Sequence, residues 1–271
     1  MQDAPQPEKP ADSPPETRAE TRPARPRWPM KPRRDMPLIQ LLPNMMTMAA
    51  LCAGVLSIRL AAGGRFAEAV ALILVAAVLD GLDGRLARFL KSESPIGAEL
   101  DSLADFLNFG VAPGLMLSFW AFPGRPDLGF GAALIYVVCC VLRLARFNVG
   151  NEAAAVLARQ GKFQGVPSPA GAMLVLLPLY LHFLMPEWPD APEMVVAGWL
   201  VAVGVLMISR LATPSLKSVR IPTENAALAM VGGVAAVVLL LRYPWATLTT
   251  LSVAYIAALL HAAWVQYGPR R

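Results

Sequence analysis

The sequence predicts an all-α, polytopic membrane helix bundle, and three observations carry that reading. Of 271 residues, 56% are hydrophobic and 16% charged, whereas a soluble domain carries about 25% charged residues. The mean hydropathy is +0.49, and several apolar runs reach the ~18 residues that read as a membrane-spanning helix. The net charge of +5 is gathered in short stretches between apolar runs. That is the pattern of a membrane topology and not of a nucleic-acid surface, so no nucleic-acid partner is expected.

Residues 1–36 hold nine prolines and fourteen charged residues, too little apolar surface to offset the entropy of ordering. They are predicted to be a disordered cytoplasmic tail, distinct from a transmembrane domain over 37–271. The tail has no apolar core of a signal peptide, and its basic end, Arg25 to Arg34, suits a segment facing anionic membrane lipids.

Eight spanning segments are expected near 38–60, 66–90, 97–122, 128–149, 168–186, 193–212, 225–242 and 244–266. With the N-terminus inside, the inner side collects the bases of Arg25 to Arg34, then Arg85, Arg88, Lys91, Arg143, Arg146, Arg159 and Lys162. It also collects Arg210, Lys217, Arg220, Arg270 and Arg271, seventeen bases in all, against Arg59, Arg65, Arg125 and Arg242 outside. That bias predicts eight helices with both termini cytoplasmic. Only Arg242, Tyr243 and Pro244 separate the last two, which implies a tight helical hairpin. The Pro167 and Pro169 pair suits the first turn of the fifth segment.

Segment two ends with Asp80 and Asp83, three residues apart and so on one helix face. Segment three opens with Asp101 and Asp105, four apart and also on one face. The loop between them centres near Ser92, so an antiparallel hairpin brings all four carboxylates to similar depth. Unpaired charges at a helix centre cost about 2.5–3.5 kcal/mol each, and four like charges repel. A salt-bridged helix pair is the bland alternative, but Arg85 and Arg88 cannot balance four aspartates and Glu99. Divalent cations answer both costs, and hard oxygen ligands select Mg²⁺ or Mn²⁺, with Ca²⁺ chemically allowed. Gly81 and Gly84 bare the helix surface for a bulky ligand, and Arg88 lies one turn on, placed for a phosphate.

The pattern Asp80-x2-Asp83-Gly84-x2-Ala87-Arg88-x8-Gly97-x3-Asp101-x3-Asp105 resembles the signature of the CDP-alcohol phosphatidyltransferases. The resemblance implies a six-helix core, here with two extra helices, in a homodimer. It implies two divalent metals held by Asp80, Asp83 and Asp101. Asp105 would be associated with that site as general base. It assigns Asn44, Thr47, Gly81, Gly84, Arg88 and Gly97 to the CDP moiety of CDP-diacylglycerol.

The acceptor alcohol must be read elsewhere. Leu42 to Thr47, Phe109 to Pro113, Arg143 to Asn148 and Phe163 to Ala170 resemble the serine-using bacterial branch of that family. A serine site needs a cation for the carboxylate, which Arg143 and Arg146 can supply; snorkelling topology markers are the plain alternative. Choline would call for an aromatic cage, and Phe109, Phe147 and Phe163 are the aromatics near the inner face. Lys217 departs from the expected pattern and is left without a role. A bacterial inner-membrane enzyme with its site facing the cytoplasm, using L-serine, is the expected whole. A transporter also places carboxylates in membranes, but no inverted repeat of the aspartate hairpin is present. Cys52, Cys139 and Cys140 match no metal spacing and are expected to pack. His182 and His261 are expected to be interfacial or packed.

Overall fold

The structure, a computed structural model, describes residues 38–149, 162–209, 211–214 and 226–267. The proposed tail, Arg159, Arg210, Lys217, Arg220, Arg270 and Arg271 lie outside the described residues. Nine helices are described: α1 (Leu42–Ala62), α2 (Phe66–Phe89), α3 (Pro95–Ala121), α4 (Pro126–Val149), α5 (Ser168–Val175), α6 (Leu177–Leu184), α7 (Glu193–Ile208), α8 (Ala226–Arg242) and α9 (Pro244–Tyr267). The chain is an all-helical membrane bundle. Four helices, spanning 39–62, 95–121, 126–148 and 244–266, are each long and apolar enough to cross a bilayer, while α7 and α8 are shorter apolar helices. In α2 the apolar run is broken by Asp80, Asp83 and Arg85.

α1 and α2 form the most closely packed helix pair, and the sequence shows why. The buried residues of α1 are Pro43, Thr47, Ala50, Gly54, Ser57 and Ala61, a four-three repeat of mostly small side chains. Small residues let helix backbones approach closely, which drives packing where lipid leaves no hydrophobic gain. Val55 and Leu56 point outward. A Cβ on Gly54 would fall on the amide of Asn108 in α3. Gly54→Val is therefore expected to prevent assembly of the bundle, read as loss of monodisperse protein on size exclusion in detergent.

The turn between α2 and α3 is built from hydrogen bonds. Ser92 N donates to Ala87 O (2.9 Å) and Lys91 N to Arg88 O (3.2 Å), with Lys91 left-handed at φ 51°. This is the glycine-type helix ending with lysine in the glycine position. Left-handed backbone costs a non-glycine residue about 1–2 kcal/mol. Lys91→Gly is expected to raise stability by about 1 kcal/mol, seen as a higher melting temperature. Ser94 then caps α3, its Oγ accepting from Gly97 N at 3.0 Å, and Pro95 fills the first turn.

Two prolines shape the interior. Pro113 lacks the N–H that would bond Phe109 O, and α3 widens into a π turn over Phe106–Val111. The freed carbonyl accepts from the Tyr136 hydroxyl of α4 at 2.7 Å. Pro178 likewise frees Leu174 O, which accepts from the Trp199 indole of α7 at 2.9 Å. The expected fifth segment is accordingly two helices, broken at Leu176.

The sixth segment ends at Ile208 and not near 212. Ala212–Pro214 instead pairs antiparallel with Lys162–Gln164, a short ladder in an otherwise helical chain. Thr213 precedes a proline, which biases it to extended backbone. The core lies among α3, α4, α5, α6 and α7, around Met116, Leu117, Tyr136, Leu174, Leu200 and Met207.

Candidate active site

The inward stripe of α2 runs Ala69, Ile73, Ala76 and on to Asp80 and Asp83. Its apolar part seats the helix, so the helical repeat carries both aspartates inward as well. Asp83 is buried, and its Oδ2 accepts from the Thr47 hydroxyl of α1 at 2.5 Å. On α3, Asp101 is exposed and Asp105, one turn on, is half-buried. The carboxylates of Asp80 and Asp105 come within hydrogen-bond reach of each other. Asp101 lies within electrostatic reach of Asp80 and Asp83. The hairpin thus brings Asp80 and Asp105 together, with Asp83 and Asp101 within electrostatic reach of them.

α2 meets α3 chiefly through the π turn and the Ala112–Ala121 half. The aspartate-bearing ends are therefore in looser contact, and we take the space between them as the candidate cleft. Among the described residues, no basic side chain forms an ion pair with any of the four aspartates. The salt-bridged alternative has no support in this geometry. Asp80 Oδ1 and Asp105 Oδ1 are both buried without a hydrogen-bond partner. Facing carboxylates at such range need a cation or a proton between them. Among the described residues no group of three His, Cys, Asp or Glu side chains stands close enough together to hold a metal ion. The all-carboxylate donor set and the orphaned oxygens of Asp80 and Asp105 are of the chemistry that suits hard divalent cations, and Asp80, Asp83, Asp101 and Asp105 are the residues that could hold them.

One wall of the cleft is bare. A Cβ on Gly81 or Gly84 would meet nothing within 4 Å. Arg88 is exposed on that wall, its Nε donating to Gly84 O at 3.0 Å. Gly97 faces Asn44 of α1: a Cβ there would come within 2.9 Å of the Asn44 side-chain oxygen. Of the six residues that the sequence assigned to the nucleotide, Thr47 touches Asp83 and Asn44 meets Gly97, while Gly81, Gly84 and Arg88 are exposed beside Asp80 and Asp83 on α2.

The two arginines of α4 part company. Arg143 turns inward, within electrostatic reach of Asp105, and its Nη1 donates to Ser168 Oγ at 2.6 Å. Arg146 is exposed and its Nη1 donates to Ile208 O at 2.9 Å, at the end of α7. Its guanidinium serves a helix end and not the aspartate cleft. Asn148 Nδ2 donates to Ser102 Oγ (3.2 Å), closing the base of α4 onto α3.

Sequence reasoning assigned no role to Ser168, which is fully buried and holds Arg143. The signal was present, because a hydroxyl flanked by prolines in an apolar run asks for a partner. Gly165, with φ +77°, shapes the approach; a Cβ there would lie 2.5 Å from Met207 O. Asn108 was missed as well: it is fully buried in the π turn with both side-chain atoms unpartnered. His182, read as without a sequence partner, contacts Asp190 at 2.7 Å far along the chain from the aspartates. Cys139 and Cys140 are buried, whereas Cys52 is exposed on the outer face of α1.

Comparison with known proteins accords with this geometry. The chain is 43% identical over 213 residues to the CDP-diacylglycerol–serine O-phosphatidyltransferase of Mycobacterium leprae, covering 76% of this chain and 69% of that protein. It is 36% identical over 186 residues to the protein of the same name from Helicobacter pylori, covering 67% and 75%. With that of Bacillus subtilis it shares 36% over 137 residues, covering 50% and 74%. The family model for CDP-alcohol phosphatidyltransferase matches residues 40–212, a stretch that holds every aspartate, glycine and arginine of the cleft, and the chain belongs to that family.

Proposed function

We propose that this chain is a phosphatidylserine synthase, transferring the phosphatidyl group from CDP-diacylglycerol to the hydroxyl of L-serine with release of CMP. The names of the relatives support serine as acceptor. The observation that carries the reading is the inward Arg143, whose guanidinium lies close to Asp105 at the cleft. A cation there suits an acceptor that bears a carboxylate, and choline has none.

In this reading Asp80, Asp83 and Asp101 hold two divalent cations, Mg²⁺ or Mn²⁺. Held there, such cations would supply neutralisation of the charge on the phosphoryl oxygens and on CMP. The bare wall of Gly81 and Gly84 admits the nucleotide, with Arg88, Gly97, Asn44 and Thr47 around it. Arg143 orients serine by its carboxylate. Asp105 takes the proton from the serine hydroxyl. The serine oxygen bonds to the β-phosphorus as the bond from that phosphorus to the bridging oxygen breaks, and CMP leaves. The protein works in the bacterial cytoplasmic membrane, with the cleft and both termini on the cytoplasmic side, as a homodimer. The charge bias of the loops supports that orientation.

Headgroup competition tests the reading. Purified protein with CDP-diacylglycerol and Mn²⁺ is offered serine, choline, inositol and glycerol phosphate, and CMP release is followed. Serine is expected to dominate; preference for another alcohol would overturn the assignment.

A further inference from the structure

We infer that Tyr255 of α9 is a specificity-determining residue that binds the acceptor's carboxylate together with Arg143. The inference rests on the serine reading above and adds a residue that lies beyond the family match at 40–212.

The inward stripe of α9 is Leu248, Ser252, Tyr255 and Leu259, spaced four, three and four apart. Leu248, Ser252 and Leu259 are buried. Ser252 Oγ donates to Leu248 O at 2.8 Å and lies 3.5 Å from Met173 O of α5. This stripe seats α9 against the helix that carries Ser168. Tyr255 follows Ser252 by one turn, and its hydroxyl is carried to the same interior as Arg143, within electrostatic reach of the guanidinium.

Two donors there are buried and without partners: the Tyr255 hydroxyl and Arg143 Nε. Arg143 Nη1 is already held by Ser168 Oγ, so the unpartnered Nε edge is the one that grips a carboxylate. Buried polar groups are almost always satisfied in native proteins, and two orphaned donors within electrostatic reach of one another call for an anion with two oxygens. Asp105, the carboxylate that interacts with Arg143 electrostatically, is engaged with Asp80 instead. An amino-acid acceptor held by its carboxylate leaves its hydroxyl free to approach Asp105. In the proposed reading the CDP moiety is served by other residues, Gly81, Gly84 and Arg88 of α2. α9, outside the family's common core, thereby reads the acceptor.

The test is Tyr255→Phe in the full-length protein. Hydrogen bonds to a charged group contribute enough for a tenfold or greater effect. The Michaelis constant for serine is expected to rise about tenfold, with that for CDP-diacylglycerol unchanged. Inhibition by serinol, which replaces the carboxylate with a neutral hydroxymethyl group, is expected to stay the same. The melting temperature holds or rises, because the change deletes a buried unpaired hydroxyl. An unchanged serine constant, or a rise in the CDP-diacylglycerol constant instead, overturns the inference while the serine reading stands. A wild type that releases CMP with choline and not with serine overturns both.

Discussion

Asp80→Asn is expected to abolish CMP release while making the metal-free protein more heat-stable. Asp80 faces Asp105 within hydrogen-bond reach, and each presents a buried oxygen without a partner. Two like charges so placed destabilise the fold unless something neutralises them. Asparagine keeps the shape, removes one charge and supplies an N–H₂ that Asp105 can accept. In EDTA, then, the variant melts higher than the wild type. Mn²⁺ reverses the order: a ligand bound only by the folded state stabilises by about 2.7 kcal/mol at a hundred times its dissociation constant. The wild type gains that stabilisation and the variant, short of a ligand, does not. Turnover is expected to fall at least about a thousandfold, roughly 4 kcal/mol of transition-state stabilisation. Mn²⁺ binding followed by electron paramagnetic resonance separates loss of the site from loss of the fold. A variant that still binds two Mn²⁺ ions would falsify the assignment of Asp80.

Much of this arrangement was legible in the sequence because membrane helices keep their registers. Asp80 and Asp83 extend the spacing of Ala69, Ile73 and Ala76, so the residues that seat α2 also aim its carboxylates. The spacing of Asp101 and Asp105 did the same for α3. Long-range polar contacts were not legible. Ser168 takes Arg143 across 25 positions, and Arg146 finds the carbonyl of Ile208 62 positions away. Two arginines three apart on one helix look equivalent in a one-dimensional reading, yet one enters the cleft and the other closes a helix end. The break at Leu176 follows from Pro178, which the sequence contained. What satisfied the freed Leu174 carbonyl was a tryptophan from another helix, which no local rule identifies. The short ladder of Lys162–Gln164 with Ala212–Pro214 was hidden for the same reason. Three-residue strands carry almost no period.

Asp105→Asn is expected to lose turnover by about 10²–10⁴-fold, the range for removing a positioned general base, with CDP-diacylglycerol affinity largely kept. A serine hydroxyl is a weak nucleophile until its proton is taken, and the acceptor of that proton must lie within ~2.6–3.2 Å. Asp105 is the carboxylate of the four nearest to Arg143 in the electrostatic sense, since it alone among them interacts with that guanidinium. An acceptor held by its carboxylate at Arg143 therefore presents its hydroxyl toward Asp105 and not toward Asp83, which is committed to the Thr47 hydroxyl. If Asp105 served only to hold a cation, its loss would weaken Mn²⁺ binding as strongly as the loss of Asp80. If it is the base, Mn²⁺ binding changes little and the chemical step slows. Single-turnover release of CMP distinguishes the two directly. The same chemistry fixes a stereochemical outcome. Neither Cys139 nor Cys140 is exposed, and no histidine neighbours the cleft to activate a protein nucleophile. The proposed function then expects serine to attack phosphorus itself, in one displacement. A CDP-diacylglycerol chiral at the β-phosphorus should give phosphatidylserine with inverted configuration, and no CMP should exchange into CDP-diacylglycerol when serine is withheld. Net retention would require a covalent phosphatidyl-enzyme and would overturn the role of Asp105 as base in a single displacement.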